Sequence, residues 1–323
     1  MKIRLLILLP LITILPAAAQ NDSIPKETGK VITSKFPTTR VFDVQYNQLG
    51  PADYTTKAFG NEKEKARVNN HYRFRVSANI PVYKTNRFFI TGSLRYKYEV
   101  FEFDNVYDIP SQTNYNRPTQ EFHYFAGAVS ATYFSTLFKK PVIYNVSGTV
   151  DANQYAFQRV KGLASATLVL KKNDRTTITA GALAMLDPSS ILPFVPIFTY
   201  EHNFKNSPWT LDFIMPQRLL LKRKLLEKGQ LSVGTELNSE NFYLRLNTGL
   251  LNGTYELNQL ELRSGLTYEY WLGKNLIGTF KGGLTNVITT RITERGEKTS
   301  KYVLESKQDP QWYFNIGISY NPF

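Results

Sequence analysis

The sequence predicts an all-β chain, a transmembrane antiparallel up-and-down β-barrel of about fourteen strands. Three observations predict it. Residues 67 to 103 read as a hairpin with one apolar and one polar face, and its arms run about 15 residues where an ordinary strand averages about 5 or 6. No stretch beyond the N-terminus offers about 18 consecutive apolar residues, which excludes a helical membrane protein. Short polar breaks alternate with longer polar connections, as in bacterial barrels with turns in the periplasm and loops outside.

Three parts are expected: a signal peptide over 1–19, a periplasmic tail over 20–37 and the barrel over 38–323. The first part has a basic start (Lys2, Arg4), an apolar stretch from Leu5 to Pro16, and the small residues Ala17, Ala18 and Ala19. That is the pattern of a secretory signal cleaved after Ala19. The apolar stretch is short of the roughly 20 residues that a spanning anchor needs. The chain has no cysteine, so neither a lipid anchor nor a disulfide is expected. The tail has no periodicity.

Composition points to the outer membrane of a Gram-negative bacterium rather than to the periplasm or the medium. Removing 19 of the 323 residues leaves 304, enough for one large barrel and too few for a plugged transporter of about 22 strands. Mean hydropathy is −0.30 although aromatics reach 14%. A barrel reconciles the two, because half of each strand faces water. The formal charge of +13 falls to +11 without Lys2 and Arg4. Nucleic acid is the usual partner of so basic a chain, but an exported barrel has little access to it, so none is expected. Basic turns and a basic lumen account for the charge instead.

Turns organise the chain. Six similar breaks are Lys84-Thr85-Asn86, Lys139-Lys140-Pro141, Lys172-Asn173-Asp174, Lys205-Asn206-Ser207, Asn238-Ser239-Glu240 and Gly273-Lys274-Asn275, rich in residues that turn geometry favours. Longer connections are expected over 50–65, 104–120, 187–190, 223–229 and 291–310. The predicted strands are 38–49, 66–83, 87–103, 121–137, 142–152, 158–171, 175–185, 191–203, 208–221, 230–238, 241–249, 257–272, 275–290 and 311–323. Twelve or sixteen strands would also satisfy the even-number rule. The stretch 121–137 is apolar on both faces, and 191–203 carries Pro193 and Pro196, which cannot donate to a ladder.

Energetics assigns the faces. A Lys or Arg on the lipid face near the bilayer midplane costs about 2–4 kcal/mol. Placing Arg73, Arg75, Arg95 and Lys97 there would cost on the order of 10 kcal/mol, comparable with a domain's whole stability. They are therefore expected to face the lumen, with Val, Ile, Leu and Tyr toward lipid. A soluble lipocalin-like barrel of about 8 strands would not use so long a chain. Tyr46, Tyr83, Tyr200, Trp209, Tyr270, Trp271 and Trp312, near predicted strand ends, fit interfacial aromatic girdles.

In the last strand Trp312, Phe314, Ile316, Ile318 and Tyr320 alternate with Tyr313, Asn315, Gly317 and Ser319, and the chain ends at Phe323. This resembles the terminal strand of outer-membrane barrels, where an aromatic last residue is read by the barrel-assembly machinery. Pro322 puts Phe323 out of parity with Tyr320, a departure from that pattern. The stretches 209–216 (WTLDFIMP), 231–237 (LSVGTEL) and 193–200 resemble an uncharacterised, domain-of-unknown-function family of Gram-negative outer-membrane β-barrel proteins. The resemblance implies a barrel, a location and contact with outer-membrane lipid and lipopolysaccharide. It brings no activity.

Chemistry is sparse. The three histidines show no metal-ligand spacing, and no phosphate loop, dinucleotide fingerprint or zinc motif occurs, so no cofactor or metal is expected. An outer-membrane lipid hydrolase would need Ser130 or Ser135 beside His123 and an orienting third group, and the spacing does not supply one. The lumen is the positive candidate. Arg67, His71, Arg73 and Arg75 face Arg95 and Lys97, with Glu99 as partial balance. Further round, Arg245, Arg263 and Lys281 are expected to meet Glu236, Glu261 and Glu269. A surplus of cations would make a passive pore that favours small anionic solutes. Pairing of the same charges across strands would instead close the lumen and leave a structural or interaction barrel.

Overall fold

The computed structural model describes residues 39–248 and 251–322. The expected signal peptide and tail, and the terminal Phe323, lie outside them. The strands are β1 (Phe42–Leu49), β2 (Ala52–Ala58), β3 (Asn61–Lys84), β4 (Phe88–Asp108), β5 (Thr113–Tyr115), β6 (Gln120–Leu137), β7 (Lys140–Asn153), β8 (Phe157–Lys172) and β9 (Thr176–Leu186). They continue as β10 (Phe194–Asn203), β11 (Trp209–Met215), β12 (Arg218–Leu225), β13 (Gly229–Thr248), β14 (Leu251–Gly273), β15 (Leu276–Glu294), β16 (Tyr302–Gln308) and β17 (Gln311–Tyr320).

All pair antiparallel in one closed sheet. β1 and β2 run in line against β3, from Phe42↔Ala78 to Ala58↔Asn61, and form one stave of the wall. β16 and β17 form another, broken at Asp309 and Pro310. β5 is a short addition to the end of β4. The ring therefore has fourteen staves, and β17 closes it on β1 from Phe42↔Tyr320 to Leu49↔Tyr313. This is a transmembrane up-and-down barrel. Its outward side chains are apolar and bare: Leu94 is 64% exposed, Val129 61%, Val146 59% and Ile316 55%. A soluble protein does not leave such a band to water.

The count of fourteen stands, but two predicted boundaries were misplaced and offset each other. Asn238, Ser239 and Glu240 are not a turn. They continue the β13–β14 ladder as Asn238↔Glu261, Ser239↔Leu260 and Glu240↔Gln259. Their polarity serves the lumen, and Glu240 is buried. Conversely 208–221 is two strands, because Pro216 and Gln217 form a turn between β11 and β12. The expected connection at 223–229 is a tight turn at 226–228. Several expected loops are largely strand: 50–65 holds β2 and a two-residue turn at Phe59 and Gly60, and 291–310 holds β16 and a 3-10 turn at Thr299–Lys301.

Six turns (85–87, 138–139, 173–175, 204–208, 226–228, 274–275) lie at the end where β1 begins and β17 stops; the other connections lie at the far end. Phe138 and Lys139 both have positive φ, as do Lys274 and Asn275, the backbone that a two-residue hairpin turn of matching twist requires. Gly265 and Gly283 lie beside one another on β14 and β15, where a Cβ on Gly283 would fall 2.1 Å from the Ser264 carbonyl oxygen. β12 stops at Arg218 opposite Glu236. Beyond that level β13 pairs with β14 alone among the described residues.

Candidate functional site: an acidic partition between two basic walls

The free half of β13 does not stay in the wall. Glu240, Phe242, Tyr243 and Leu244 are all buried, so both faces of the strand are covered. β6, seven staves away in either direction, comes within 8 Å of β13. Phe122 meets Phe242 with ring centroids 5.7 Å apart, and Tyr124 meets Tyr243 at 6.4 Å. The outer part of β13 is thus the free edge of an arm that reaches across the lumen, anchored through β14, which stays laddered to β15 from Tyr255↔Glu294 onward.

One face of the arm carries Glu240 and Glu261, which lie two rungs apart on the ladder. Opposite stand β3 and β4. Arg73 donates to Glu261 at 2.6 Å from Nη2 and 3.1 Å from Nη1, and to Glu99 Oε1 at 2.5 Å from Nε. Arg75 and Lys97 both reach Glu240, and Lys97 Nζ also donates to the Asn241 carbonyl at 2.9 Å. That carbonyl belongs to the strand without a neighbour, and a lysine takes the place of the missing ladder partner. The Lys97 ammonium lies 3.7 Å from the Phe242 ring centroid. His71 bonds Glu99 through Nε2 at 2.6 Å and stacks on Phe101. Arg263, on β14 where the arm leaves the wall, holds Glu261 at 2.7 Å and lies over Tyr313.

The other face carries Tyr243 and Glu256. Here β8 supplies the cations: Arg159 at 2.8 Å and Lys161 at 2.8 Å from Glu256. Lys161 also holds Asp151 at 3.0 Å, and Arg159 holds Asp187 at 2.7 Å. Tyr124 and Tyr243 donate to Asp151. Asp187 begins the connection 187–193, outside the strands. Burial would raise its carboxyl, but the Lys161 ammonium, the Ser189 hydroxyl and the Arg159 guanidinium outweigh it and hold the pKa below the usual carboxylate range.

Across the two faces six cations (Arg73, Arg75, Lys97, Arg263, Arg159, Lys161) meet six carboxylates (Glu99, Glu240, Glu261, Asp151, Asp187, Glu256). The cationic surplus expected in the lumen is absent at this level. Toward the terminal end lies a polar cavity of about 300 Å³, lined among others by Arg40, Arg218, Lys222, Lys281, Glu236 and Glu269. Arg40 pairs with Glu269, and Lys281 with Glu236 at 3.3 Å. Arg95 shares the face of Lys97, is exposed and has no ion pair among the described residues, so solvent enters the lumen at its level.

Two expected lumen residues stand outside these clusters. Arg67 is 45% exposed and pairs with Asp53. A bulge between Val68 and Asn70 shifts the alternation by one, so that Glu64, Ala66 and Val68 point in at one end of β3 and His71 and Arg73 at the other. Arg245 lies nine residues beyond Glu236 on the far part of β13, exposed and apart from the three acids it was expected to meet. Sequence reasoning missed Glu240, which it placed in a turn, and the whole β8 group. A signal was there: Arg159 and Lys161 repeat the i, i+2 spacing of Arg73 and Arg75.

The Ser–His pair considered for a lipid hydrolase does not form among the described residues; the hydroxyl at 2.8 Å from His202 Nδ1 is that of Thr176. His123 Nδ1 bonds the Tyr96 hydroxyl at 2.9 Å. Ser130 lies on the opposite face of β6, and Ser135 is about 40 Å along it at about 3.4 Å per residue. Among the described residues no group of three or more His, Asp or Glu could hold a metal.

No protein-family model matches the chain. No curated protein matches it in sequence either. Among solved structures, a FadL homologue from Pseudomonas aeruginosa aligns with a TM-score of 0.40 at 9% identity, over 89% of this chain and 91% of that one. An outer membrane channel from Pseudomonas putida F1 aligns with a TM-score of 0.39 at 10% identity, over 87% and 96%. The outer membrane protease OmpT from Escherichia coli aligns with a TM-score of 0.31 at 9% identity, over 86% and 96%. Likenesses this distant, to a channel, a FadL homologue and a protease alike, decide nothing about function.

Proposed function

We propose that this chain is an integral outer-membrane barrel that passes small polar solutes through a gate made from its own wall. The observation that carries the reading is the arm: a hairpin free along one edge, held between two cationic walls by Glu240, Glu261 and Glu256. In this reading the arm, held on both faces, is the closed position of the gate. Its release from β3 and β4 would uncover Arg73, Arg75 and Lys97 along the new path, and anions would pass best. Opening must separate ion pairs buried on both faces of the arm, so the open state is rare at rest.

Planar-bilayer conductance tests this. Wild-type protein is expected to be silent or to flicker briefly. Glu240→Gln with Glu261→Gln weakens the hold of one wall and should give long openings with an anion-selective reversal potential in a KCl gradient. Silence of the folded double variant at every voltage would refute the gate. A closed structural barrel is the second reading, favoured by the matched charges of the partition.

A further inference from the structure

The two ends of the barrel differ in charge. At the far end the charges are mixed in sign: Lys63 holds Asp108, Arg67 holds Asp53, Arg117 holds Glu64, Arg291 holds Glu305 and Lys301 holds Glu297, while Lys57, Lys298 and Lys307 have no ion pair among the described residues. Within two residues of the six terminal-end turns there are eleven Lys and Arg, all exposed, against two carboxylates, Asp174 and Glu227. Among the described residues Lys139, Lys140, Lys205, Lys228 and Lys274 have no ion pair.

The same turns hold out apolar side chains. Phe138 is 83% exposed, Leu226 73%, Leu272 55% and Phe204 42%. Phe138 and Leu226 sit at positive φ, a conformation that costs a non-glycine residue about 1–2 kcal/mol. A bulky apolar residue kept bare in a strained turn, next to a lysine, is the chemistry of a membrane interface: the ring or isobutyl group meets acyl chain and the ammonium meets phosphate. Phe59 at the far end is likewise exposed, but carboxylates (Asp53, Glu62, Glu64) alternate there with the cations.

We propose that the terminal-end rim binds anionic phospholipid headgroups of the leaflet it faces. The proposal rests on the barrel spanning a membrane, and its test separates the two. Trp209 opens β11 beside one turn and Trp271 lies near the end of β14 beside another, so they report on this rim. In the Trp312→Phe protein, folded in detergent micelles, their fluorescence is followed as doxyl-labelled phosphatidylglycerol or phosphatidylcholine of the same chain length is added.

Phosphatidylglycerol should quench at a mole fraction about fivefold lower than phosphatidylcholine. The difference should vanish in about 0.5 M salt, where the screening length shrinks to a few ångströms. It should also vanish when Lys139, Lys140, Lys205, Lys228 and Lys274 are all changed to Gln, with heat-modifiable gel migration showing that the variant is folded. Equal quenching by both lipids in the wild-type rim overturns the proposal and leaves the barrel standing, with an acidic polypeptide as the rim's alternative partner. No quenching by either lipid in folded protein overturns the spanning barrel and the proposal together.

Discussion

Arg73 has no exposed surface and hydrogen-bonds two carboxylates, Glu99 on the neighbouring strand and Glu261 on the arm, with a third, Glu240, 3.5 Å from its Nη1. Removing it leaves both acids buried without their main partner. Arg73→Leu should lower the unfolding free energy in lipid vesicles by about 3–5 kcal/mol in a urea titration. Arg73→Lys keeps the charge but loses the planar fork, and its loss should be smaller but measurable. At the far end Asp187 sets a pH dependence. Its pKa is lowered in the folded chain, so its contribution is present above the unfolded value of about 3.9 and is lost as pH falls through the folded value. Relative to the intrinsic rate at each pH, hydrogen exchange of residues 187–193 should accelerate below about pH 4 in wild-type protein. In Asp187→Asn it should already be fast at neutral pH and should show no acid step. At this scale His71, Arg73 and Lys97 could be read from alternation alone, because charge on the lipid face is too costly. Glu240 could not, since a polar triplet in a long strand and a turn share one composition, and only the absence of a β12 partner tells them apart.

The two-residue turn at Phe138 and Lys139 joins long strands with residues ill suited to positive φ. Replacing them by Asn and Gly should stabilise the hairpin by about 1 kcal/mol, seen as a higher thermal midpoint of the heat-modifiable form. The same variant should weaken phosphatidylglycerol quenching, because Phe138 and Lys139 leave the rim together. Alternation gave most staves to within a few residues, including the Pro-bearing β10. It failed where something interrupts the period of two. Pro216 turned one predicted strand into two. The Asn69 bulge reversed the faces of β3, which carried Arg67 outward. Neither is a failure of the hydrophobic argument. Both are local changes of phase, which a face-by-face reading crosses unseen.

At the scale of the whole molecule the basic composition divides between a neutral partition and a cationic rim, so the net charge describes one end rather than the channel. Conductance and lipid preference therefore test different parts of the molecule and can fail independently. The matched charges also explain why the sequence could not say whether the lumen was open: the same arginines line a pore or bolt it, according to where three glutamates on the arm are placed. The short hairpin of β11 and β12 has a further consequence. Its strands have 7 and 8 residues, while a strand needs about 9–11 to cross a bilayer. Lipid beside this sector must thin or tilt to match it, at fractions of a kcal/mol per ångström of mismatch. The barrel therefore has a soft meridian, along which membrane thickness itself becomes a variable that biases the arm.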